Sequence, residues 1–300
     1  MSLDKPAGTI GGKRGATSKA RMVLWFCAIA AVILAAGSAY YRSESLRIQK
    51  DKSEELEAIG KMKIEQLLRW REERTIDITR LAESPAVRHL LDGWLRRTDY
   101  PGSREVLRER LRFEIEHGFY FQALFGDADK HILLSFPEAV EMETDSWSAV
   151  EKARGSSEPV LSDLHDTASG RIHMDIAMAL RNGSDRPLTV AILTTDVREF
   201  LFPMLGVWPT SSHTAEAFLV RREGDKVLYL SNTRRCKDAA LSLRLPLTQI
   251  TSPAVQAVLG RTGAFLGRDC RGVNVLSDLR PVPETSWYLV SQVDMAEILT

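Results

Sequence analysis

The feature that most constrains this chain is a run of twenty residues, Met22–Tyr41, without a charged side chain. An α-helix of this length spans roughly 30 Å, the thickness of the hydrocarbon core of a bilayer. Trp25 lies near one end of the run and Tyr40 and Tyr41 lie at the other, as aromatic side chains at membrane interfaces do. We therefore predict a transmembrane helix at residues 22–41, preceded by a tail at residues 1–21.

The charges on either side of this run predict its orientation. The residues just before it are basic, whereas those after it carry both signs. The positive-inside rule then leaves the tail in the cytoplasm and exports residues 42–300, at the inner (cytoplasmic) membrane with a periplasmic or extracellular main part. A cleaved signal peptide is the alternative, with Gly37-Ser38-Ala39 as a poor cleavage site. Because the apolar run is longer than a usual signal core, we favour an uncleaved anchor.

Composition and motifs exclude several function classes. The chain has 40 basic and 40 acidic residues, so no net charge attracts nucleic acid and we predict no nucleic-acid partner. It contains no glycine-rich phosphate loop, no His-Glu-x-x-His and no Gly-x-Ser-x-Gly motif, and its six histidines suggest no nucleophile and base. We therefore predict neither enzymatic activity nor a cofactor.

The chain has three cysteines, too few for a disulfide scaffold. Cys27 lies in the apolar run, which leaves Cys236 and Cys270 as the only possible pair. In an oxidising compartment they could form a disulfide, or they could be small apolar fillers with free thiols. The sequence leaves both alternatives open.

Residues 42–117 are predicted to form a stalk and connecting helices. Ser43–Ser84 contains no proline and a single glycine, which favours one long helix. Its apolar residues form pairs that repeat every eleven residues: Leu56/Ile59, Leu67/Trp70 and Ile78/Leu81. This stripe could pack on the modules that follow or form the seam of a homodimer. Ser84 and Pro85 predict the start of a second helix through Trp94, and Ser103–His117 a third.

The rest of the chain contains an internal repeat. Asp129–Ser135 resembles Asp225–Ser231, 96 positions later, and Asp196–Leu201 resembles Asp294–Leu299, 98 positions later. Two similar offsets in the same order predict two modules of one kind, at residues 118–202 and 203–300, joined near Pro203–Pro209.

Each module is predicted as a hairpin, a helix and closing strands. In the first these are Tyr120–Phe125, His131–Phe136, the helix Ser146–Arg154, and then Pro159–Leu164, Arg171–Leu180 and Leu188–Thr195. In the second they are Ala217–Arg222, Val227–Leu230, the helix Pro253–Leu259, and then Ala264–Arg268, Gly272–Leu279 and Trp287–Val293. Asp196 and Asp294 each precede a glutamate by three residues, which predicts a helix-capping box. The fold class is therefore α+β: a transmembrane helix, a long stalk helix and two tandem antiparallel-sheet modules.

These segments resemble the double Cache family, the PAS-like extracellular sensor regions of bacterial receptors. The resemblance covers nearly everything from the stalk onward and is clearest at Trp208–Asn232 and Gly267–Ile298. Those stretches are similar to the membrane-proximal half of such regions in sensor histidine kinases and diguanylate cyclases, although Cys270 stands where an aromatic residue is expected. The resemblance implies ligand capture in the first, membrane-distal module and relay through the second.

The amino-acid-binding branch of this family grips the ligand carboxylate with an Arg-x-Trp-Tyr stretch and its amine with an aspartate after the last distal strand. The corresponding stretch here looks like Asp145–Ser148, which keeps Trp147 but lacks the arginine and the tyrosine. Asp196 matches the amine-binding aspartate, although helix capping explains it equally well. Without the arginine, an amine or another small molecule is as good a candidate as an amino acid.

Polar residues on one predicted distal hairpin provide further candidates: Asp163, His165, Asp166, His173 and Asp175. Convergent histidine and aspartate could bind a metal such as zinc, but strand alternation lets at most two or three face the same way. We favour a polar pocket lining and predict no metal. Three aromatic residues, Tyr120, Phe121 and Trp147, could stack on a ligand or belong to the core. The predicted ligand-binding residues are therefore Tyr120, Phe121, Trp147, Asp163, His165, His173, Asp175 and Asp196.

These inferences together predict the small-ligand sensing region of a membrane signal-transduction receptor, whose kinase or cyclase output would lie beyond Thr300. A stand-alone membrane-anchored periplasmic binding or scaffolding protein is the alternative. The coding sequence downstream of Thr300 would separate the two. An exported hydrolase is a third and weaker alternative, since it would need a clustered nucleophile and base.

Overall fold

The structure, a computed structural model, describes residues 14–96, 98, 102–138, 142, 144–167, 170–181, 187–236 and 238–299. Two compact units are formed, divided between Lys52 and Ser53. Residues 1–13 of the predicted tail lie outside the described residues. The remainder of that tail already belongs to the first helix, so the helix begins before the apolar run.

Helix α1 (Arg14–Ala82) contains both the predicted transmembrane segment and the stalk. Among the described residues it is the one helix that is long and apolar enough to cross a membrane. Large apolar side chains of this segment, such as Leu24 and Phe26, are exposed, as expected for side chains that contact lipid instead of a protein core.

The apolar stripe of the stalk is buried along its whole length: Leu56, Ile59, Leu67, Trp70, Ile78 and Leu81. Leu67 and Trp70 pack in the large apolar core that residues of both sheets share, and Leu56 packs against Ala215 and Val293. The stripe therefore packs on the modules of its own chain. The stripe is therefore not available to pair with a second copy of the chain. Homodimerisation through the stalk helix stays a prediction, and it would use another face of that helix.

The two connecting helices are confirmed. Helix α2 (Pro85–Leu95) begins after Ser84, whose hydroxyl accepts a hydrogen bond from the Val87 amide. Helix α3 (Ser103–His117) buries Leu107 and Leu111, whereas Val106 is exposed. Adjacent helical residues point about 100° apart, so Val106 faces away from Leu107.

The first sheet is antiparallel and has six strands in the order β2-β1-β6-β5-β3, with β4 also paired to β5. The strands are β1 (Gln122–Gly126), β2 (Ile132–Phe136), β3 (Val160–Leu161), β4 (His165–Asp166), β5 (Ile172–Arg181) and β6 (Pro187–Asp196). Helix α4 (Thr144–Arg154) packs on one face of this sheet, and the stalk packs in the core on the other.

The second sheet follows the short helix α5 (Leu201–Gly206) and has the order β10-β11-β12-β7-β8-β9. Its strands are β7 (Glu216–Glu223), β8 (Lys226–Tyr229), β9 (Arg244–Pro246), β10 (Gly263–Arg268), β11 (Asn274–Pro281) and β12 (Trp287–Asp294). Helix α6 (Pro253–Val258) packs on one face, and α7 (Met295–Ile298) follows β12. In both sheets the first hairpin lies next to the last strand, and the last strand lies next to the penultimate strand. The predicted repeat of topology is therefore confirmed.

Two local predictions are wrong. The predicted strand Pro159–Leu164 is interrupted after Leu161, because Asp163 Oδ1 accepts a hydrogen bond from the Leu164 amide and turns the backbone between β3 and β4. The capping box at Asp196 is also absent. Its carboxylate accepts from the Arg198 amide, and α5 begins only at Leu201.

Cys236 and Cys270 form a disulfide between loops of the second sheet, with Cα atoms 6.8 Å apart. The first cysteine follows β8 and the second precedes β11. The alternative of two free thiols at these positions is therefore wrong, whereas Cys27 is a free cysteine.

Candidate functional site

The face of the first sheet that α4 covers carries a row of polar residues. Gln122, Thr194 and Asp175 are register partners on β1, β6 and β5, so their side chains lie side by side on one face. Leu124, Ile192 and Ala177 continue the same strands under α4, which places the row on the α4 side. We call the row, together with Ser146, His165 and His173, the distal polar cluster; all six side chains are buried.

Asp175 is the centre of the distal polar cluster and is 1% exposed. The Thr194 hydroxyl donates a 2.7 Å hydrogen bond to its Oδ1, and His165 Nε2 lies 3.3 Å from its Oδ2. Burial raises the pKa of the Asp175 carboxyl, but hydrogen bonding and charge from His165, followed by the charge of His173, outweigh burial and lower it. The carboxylate is therefore ionised in the interior.

His165 is held by contacts on both ring nitrogens. Its Nδ1 lies 3.0 Å from the Asp163 carbonyl oxygen, and its Nε2 lies 3.2 Å from Ser146 Oγ on α4. Burial lowers the pKa of His165, but the hydrogen bond and charge of Asp175 outweigh burial and raise it. His165 and Asp175 thus form a buried imidazole–carboxylate pair.

His173 brings a second imidazole against the first. The two ring centroids are 4.0 Å apart in an edge-on arrangement, and β4 and β5 place the two histidines directly opposite each other. The Phe121 ring contacts His173 with centroids 6.0 Å apart, and the Arg171 guanidinium lies 4.5 Å above the Phe121 centroid. Phe121 and Arg171 therefore form the rim of the cluster.

Two predicted ligand-binding residues lie elsewhere. Tyr120 precedes β1, belongs to the stalk-side core and donates a 2.8 Å hydrogen bond to Asp77 Oδ2 on the stalk. Asp163 accepts a hydrogen bond from Trp287 Nε1 and pairs with Arg221, both in the second sheet. The side chains of Tyr120 and Asp163 therefore lie outside the distal polar cluster, and their part in ligand binding stays a prediction.

Trp147 and Asp196 lie beside the cluster. Trp147 is partly buried and packs on the core under α4, close to Gly126 and Ile192. Asp196 is the register partner of His173, and its carboxylate is bound by Arg198 with Nη2 3.0 Å from Oδ2. Burial raises the pKa of Asp196, but hydrogen bonds from Arg198 outweigh burial and lower it. Asp196 therefore already has a cationic partner.

Sequence reasoning missed Gln122, Ser146 and Thr194. Ser146 adjoins Trp147, and Thr194 lies two residues before Asp196 on one strand face, so the alternation of β6 could have identified Thr194. Gln122 and Ser146 carry no comparable local signal. Their places depend on the register of β1 with β6 and on how α4 crosses the sheet.

The equivalent row in the second sheet consists of Glu216, Gln292 and Ser277. The Gln292 amide donates a 2.7 Å hydrogen bond to Glu216 Oε1, and the Arg234 backbone amide donates to Oε2 at 2.6 Å. Burial raises the pKa of Glu216. This row contains no histidine, so the two imidazoles distinguish the first sheet from the second.

Three cavities among the described residues lie around the first sheet. Two of about 200 and 150 Å³ share Leu161, Ser162 and Asp163 at the junction with the second sheet. A third of about 340 Å³ lies at the β1–β2 turn, lined by Gly126, Arg96 and Arg154 among others.

Comparison with solved structures identifies the fold. The ligand-binding domain of the Pseudomonas fluorescens chemoreceptor CtaA, in complex with L-serine, matches with a TM-score of 0.60 and 18% identity over 82% of this chain and 99% of that chain. The ligand-binding domain of the Pseudomonas aeruginosa PAO1 amino-acid chemoreceptor PctC, in complex with GABA, matches with a TM-score of 0.58 and 17% identity over 81% and 100%. The ligand-binding domain of Mlp24 with asparagine gives 0.54 and 13% over 86% and 97%.

The likeness to these structures confirms the two-sheet α+β fold that the sequence resemblance implied. No protein-family model and no curated protein matches the chain. The likeness to solved structures therefore identifies the architecture of residues from the stalk onward.

Proposed function

We propose that this chain is the extracytoplasmic sensing region of a membrane receptor and that the distal polar cluster binds its small ligand. The observation that carries the proposal is the buried pair of Asp175 and His165 under α4, in a fold shared with ligand-binding domains of chemoreceptors. Burying ionisable groups costs free energy, and titratable groups that are buried beside a charged partner are typical of functional sites.

Two features support a location outside the cytoplasm. The exposed apolar segment 22–41 suits a membrane anchor, and the Cys236–Cys270 disulfide suits an oxidising compartment. An alkaline phosphatase fusion after Thr300, expressed in bacteria, tests this topology because that reporter is active only after export. An active fusion supports the orientation with the tail inside; an inactive fusion that is stably expressed contradicts it.

The chemistry of the cluster favours a ligand with hydrogen-bond donors or positive charge. Asp175 supplies an ionised carboxylate, and the hydroxyls of Ser146 and Thr194 flank it. The relatives of similar fold were solved with amino acids or GABA. Amino acids and primary amines are therefore the compounds to screen first, with Phe121 and Trp147 as apolar walls.

A thermal-unfolding screen of the full chain in detergent tests ligand binding. The probes are the twenty amino acids, GABA and a set of primary amines, each with and without a chelator. A ligand at 100 times its Kd adds about 2.7 kcal/mol, which raises the Tm of a chain of this size by roughly 5–10 °C. If no compound raises the Tm of the folded protein, ligand sensing by this site is contradicted.

Variants locate the binding site. Ser146→Ala and Thr194→Val remove hydroxyls of the cluster and should abolish the stabilisation by an active compound. Asp166→Asn is the matched control, because Asp166 lies next to His165 in sequence but is exposed. Ligand stabilisation that is equal in all three variants would place the site elsewhere.

A further inference from the structure

We propose that His165, His173 and Asp175 form a binding site for a divalent transition-metal ion of the zinc type. One ligand atom from each lies within 4.8 Å of the others, and all three residues are buried. This inference rests on the proposed function for the sensory role of the site, since it names the chemical class that the distal polar cluster takes.

The spacing of the first two ligands fits a tetrahedral ion. His165 Nε2 and Asp175 Oδ2 are 3.3 Å apart. Bonds of about 2.0–2.2 Å to nitrogen and oxygen place neighbouring ligand atoms of a tetrahedral zinc about 3.3 Å apart. An ion between these two atoms therefore requires little movement of either side chain, and His173 would complete three protein ligands from its edge-on position.

The remaining polar atoms of the three residues are held by neighbours that orient them. His165 Nδ1 lies 3.0 Å from the Asp163 carbonyl oxygen, and His173 Nδ1 lies 3.5 Å from the Arg171 carbonyl oxygen. The Thr194 hydroxyl donates to Asp175 Oδ1. Metal-binding histidines typically donate their other N–H to a carbonyl or carboxylate, which leaves Nε2 as the ligand atom.

The electrostatics of the cluster also favour an ion. Asp175 Oδ2 faces His165 Nε2 at 3.3 Å, but within the described residues it accepts no well-aligned hydrogen bond, although Asp175 is 1% exposed. A buried carboxylate is stabilised by a paired charge or by a metal. A divalent ion would satisfy Oδ2 and bind both histidines in their neutral form.

The fourth position of the ion would link helix to sheet. Zinc sites with three protein ligands keep a fourth position for water or a small ligand. Ser146 Oγ, on α4, lies 3.2 Å from His165 Nε2 and is adjacent to that position. Ion binding would therefore connect α4 to β4 and β5, which is the kind of contact change that a sensor needs.

A second group in the chain serves as a control. Asp127, Asp129 and His131 also lie close enough to hold an ion. However, Asp127 Oδ1 accepts the backbone amides of Asp129 and His131, so its carboxylate stabilises the β1–β2 turn. The two residues that follow Asp127 in this group are exposed, and hydrogen bonding within a turn explains the arrangement without a metal.

Metal binding is tested with the full chain in detergent after treatment with a chelator and its removal. Calorimetric titration with ZnCl2 should give one ion per chain, and CoCl2 should give the visible absorption of a tetrahedral cobalt site. His165→Gln, His173→Gln and Asp175→Asn should lose this binding, and Thr194→Val should weaken it by roughly 10- to 100-fold. His131→Gln should leave it unchanged.

Circular dichroism and thermal unfolding without metal show whether each variant folds, and the cobalt spectrum of the unsubstituted protein reports the ligand set independently of any variant. Absence of zinc and cobalt binding by the folded, unsubstituted protein overturns the proposal. Metal binding that is lost in His131→Gln but kept in the three cluster variants also overturns the proposal.

The two proposals fail separately. An organic compound that stabilises the chelated protein through the cluster, combined with absent metal binding, overturns the metal site alone. Zinc binding without any organic ligand supports the metal site and makes the ion itself the ligand. Failure of both titrations overturns both proposals.

Discussion

The indole nitrogen of Trp287 donates a 2.7 Å hydrogen bond to Oδ1 of Asp163, which is 124 residues away in the sequence. Asp163 lies between β3 and β4 of the first sheet, and Trp287 is the first residue of β12 in the second. Arg221 on β7 pairs with the other carboxylate oxygen. Asp163 therefore joins the two sheets and does not line the distal polar cluster.

This contact gives a first prediction. Asp163→Asn should lower the free energy of unfolding by about 1–3 kcal/mol. It removes the carboxylate nearest to Arg221 at a partly buried junction and leaves Arg221 only the more distant Glu223, 4.0 Å away. Urea unfolding measures the change. Asp166→Asn, three residues along and exposed, should change the free energy by less than about 0.5 kcal/mol. Equal effects of the two substitutions would contradict the junction role.

Lys63 predicts a pH dependence of stability. Its ammonium is buried and donates to the carbonyls of Met204 and Val207 at the end of α5, 2.9 and 2.7 Å away. Burial lowers the pKa of Lys63 from 10.5 to about 8. Between these values the unfolded chain holds a proton that the folded chain has lost, so raising the pH favours folding. Below about pH 8 both states are protonated and this contribution is constant.

The free energy of unfolding of the unsubstituted protein, relative to Lys63→Met, should therefore rise between about pH 8 and pH 10.5. The slope is at most about 1.4 kcal/mol per pH unit. Chemical denaturation at several pH values measures it. Lys61→Met is the control, since Lys61 is exposed and pairs with Glu57 one turn away. If the difference in the free energy of unfolding between the unsubstituted protein and Lys63→Met stays constant across this range, burial of the Lys63 ammonium is contradicted.

The disulfide predicts a stability loss on reduction. Cys236 and Cys270 are 34 residues apart, and a loop of this length corresponds to about 3–4 kcal/mol in the chain-entropy treatment. Cys236→Ser should lower the Tm, and a reductant should then have no further effect. Cys27→Ser should leave the Tm and its response to reductant unchanged. Thiol titration of the denatured, unreduced chain should find one free thiol, that of Cys27.

The stalk stripe predicts a folding role. Leu67→Ala should cost about 2–5 kcal/mol, because Leu67 is fully packed in the core of its own chain. Ile76→Ala is the control on the exposed side of the same helix and should cost less than about 0.5 kcal/mol. Light scattering of both variants should give the mass of the unsubstituted protein. A change of oligomeric state with Leu67→Ala alone would indicate a subunit interface.

The sequence by itself determined the elements that have local signals. The structure has the helix over the twenty uncharged residues, the helix start at Ser84–Pro85 and the predicted boundaries of α3. Each of these is signalled by residues that lie a few positions apart in the sequence. The repeat at an offset of about 97 residues correctly predicted two sheets of the same strand order. Such signals are readable because helix capping, strand alternation and apolar periodicity act over short distances along the chain.

Tertiary structure alone decided which of the candidate side chains on the predicted hairpin meet and which residues of other elements join them. His165, His173 and Asp175 converge because β4 and β5 pair in one register, and Ser146 joins them because α4 crosses that face. Tyr120 and Asp163 lie outside this cluster, since each lies beyond a strand end where alternation no longer fixes the side-chain direction. Contacts between residues far apart in sequence depend on register and packing, and no local pattern encodes either.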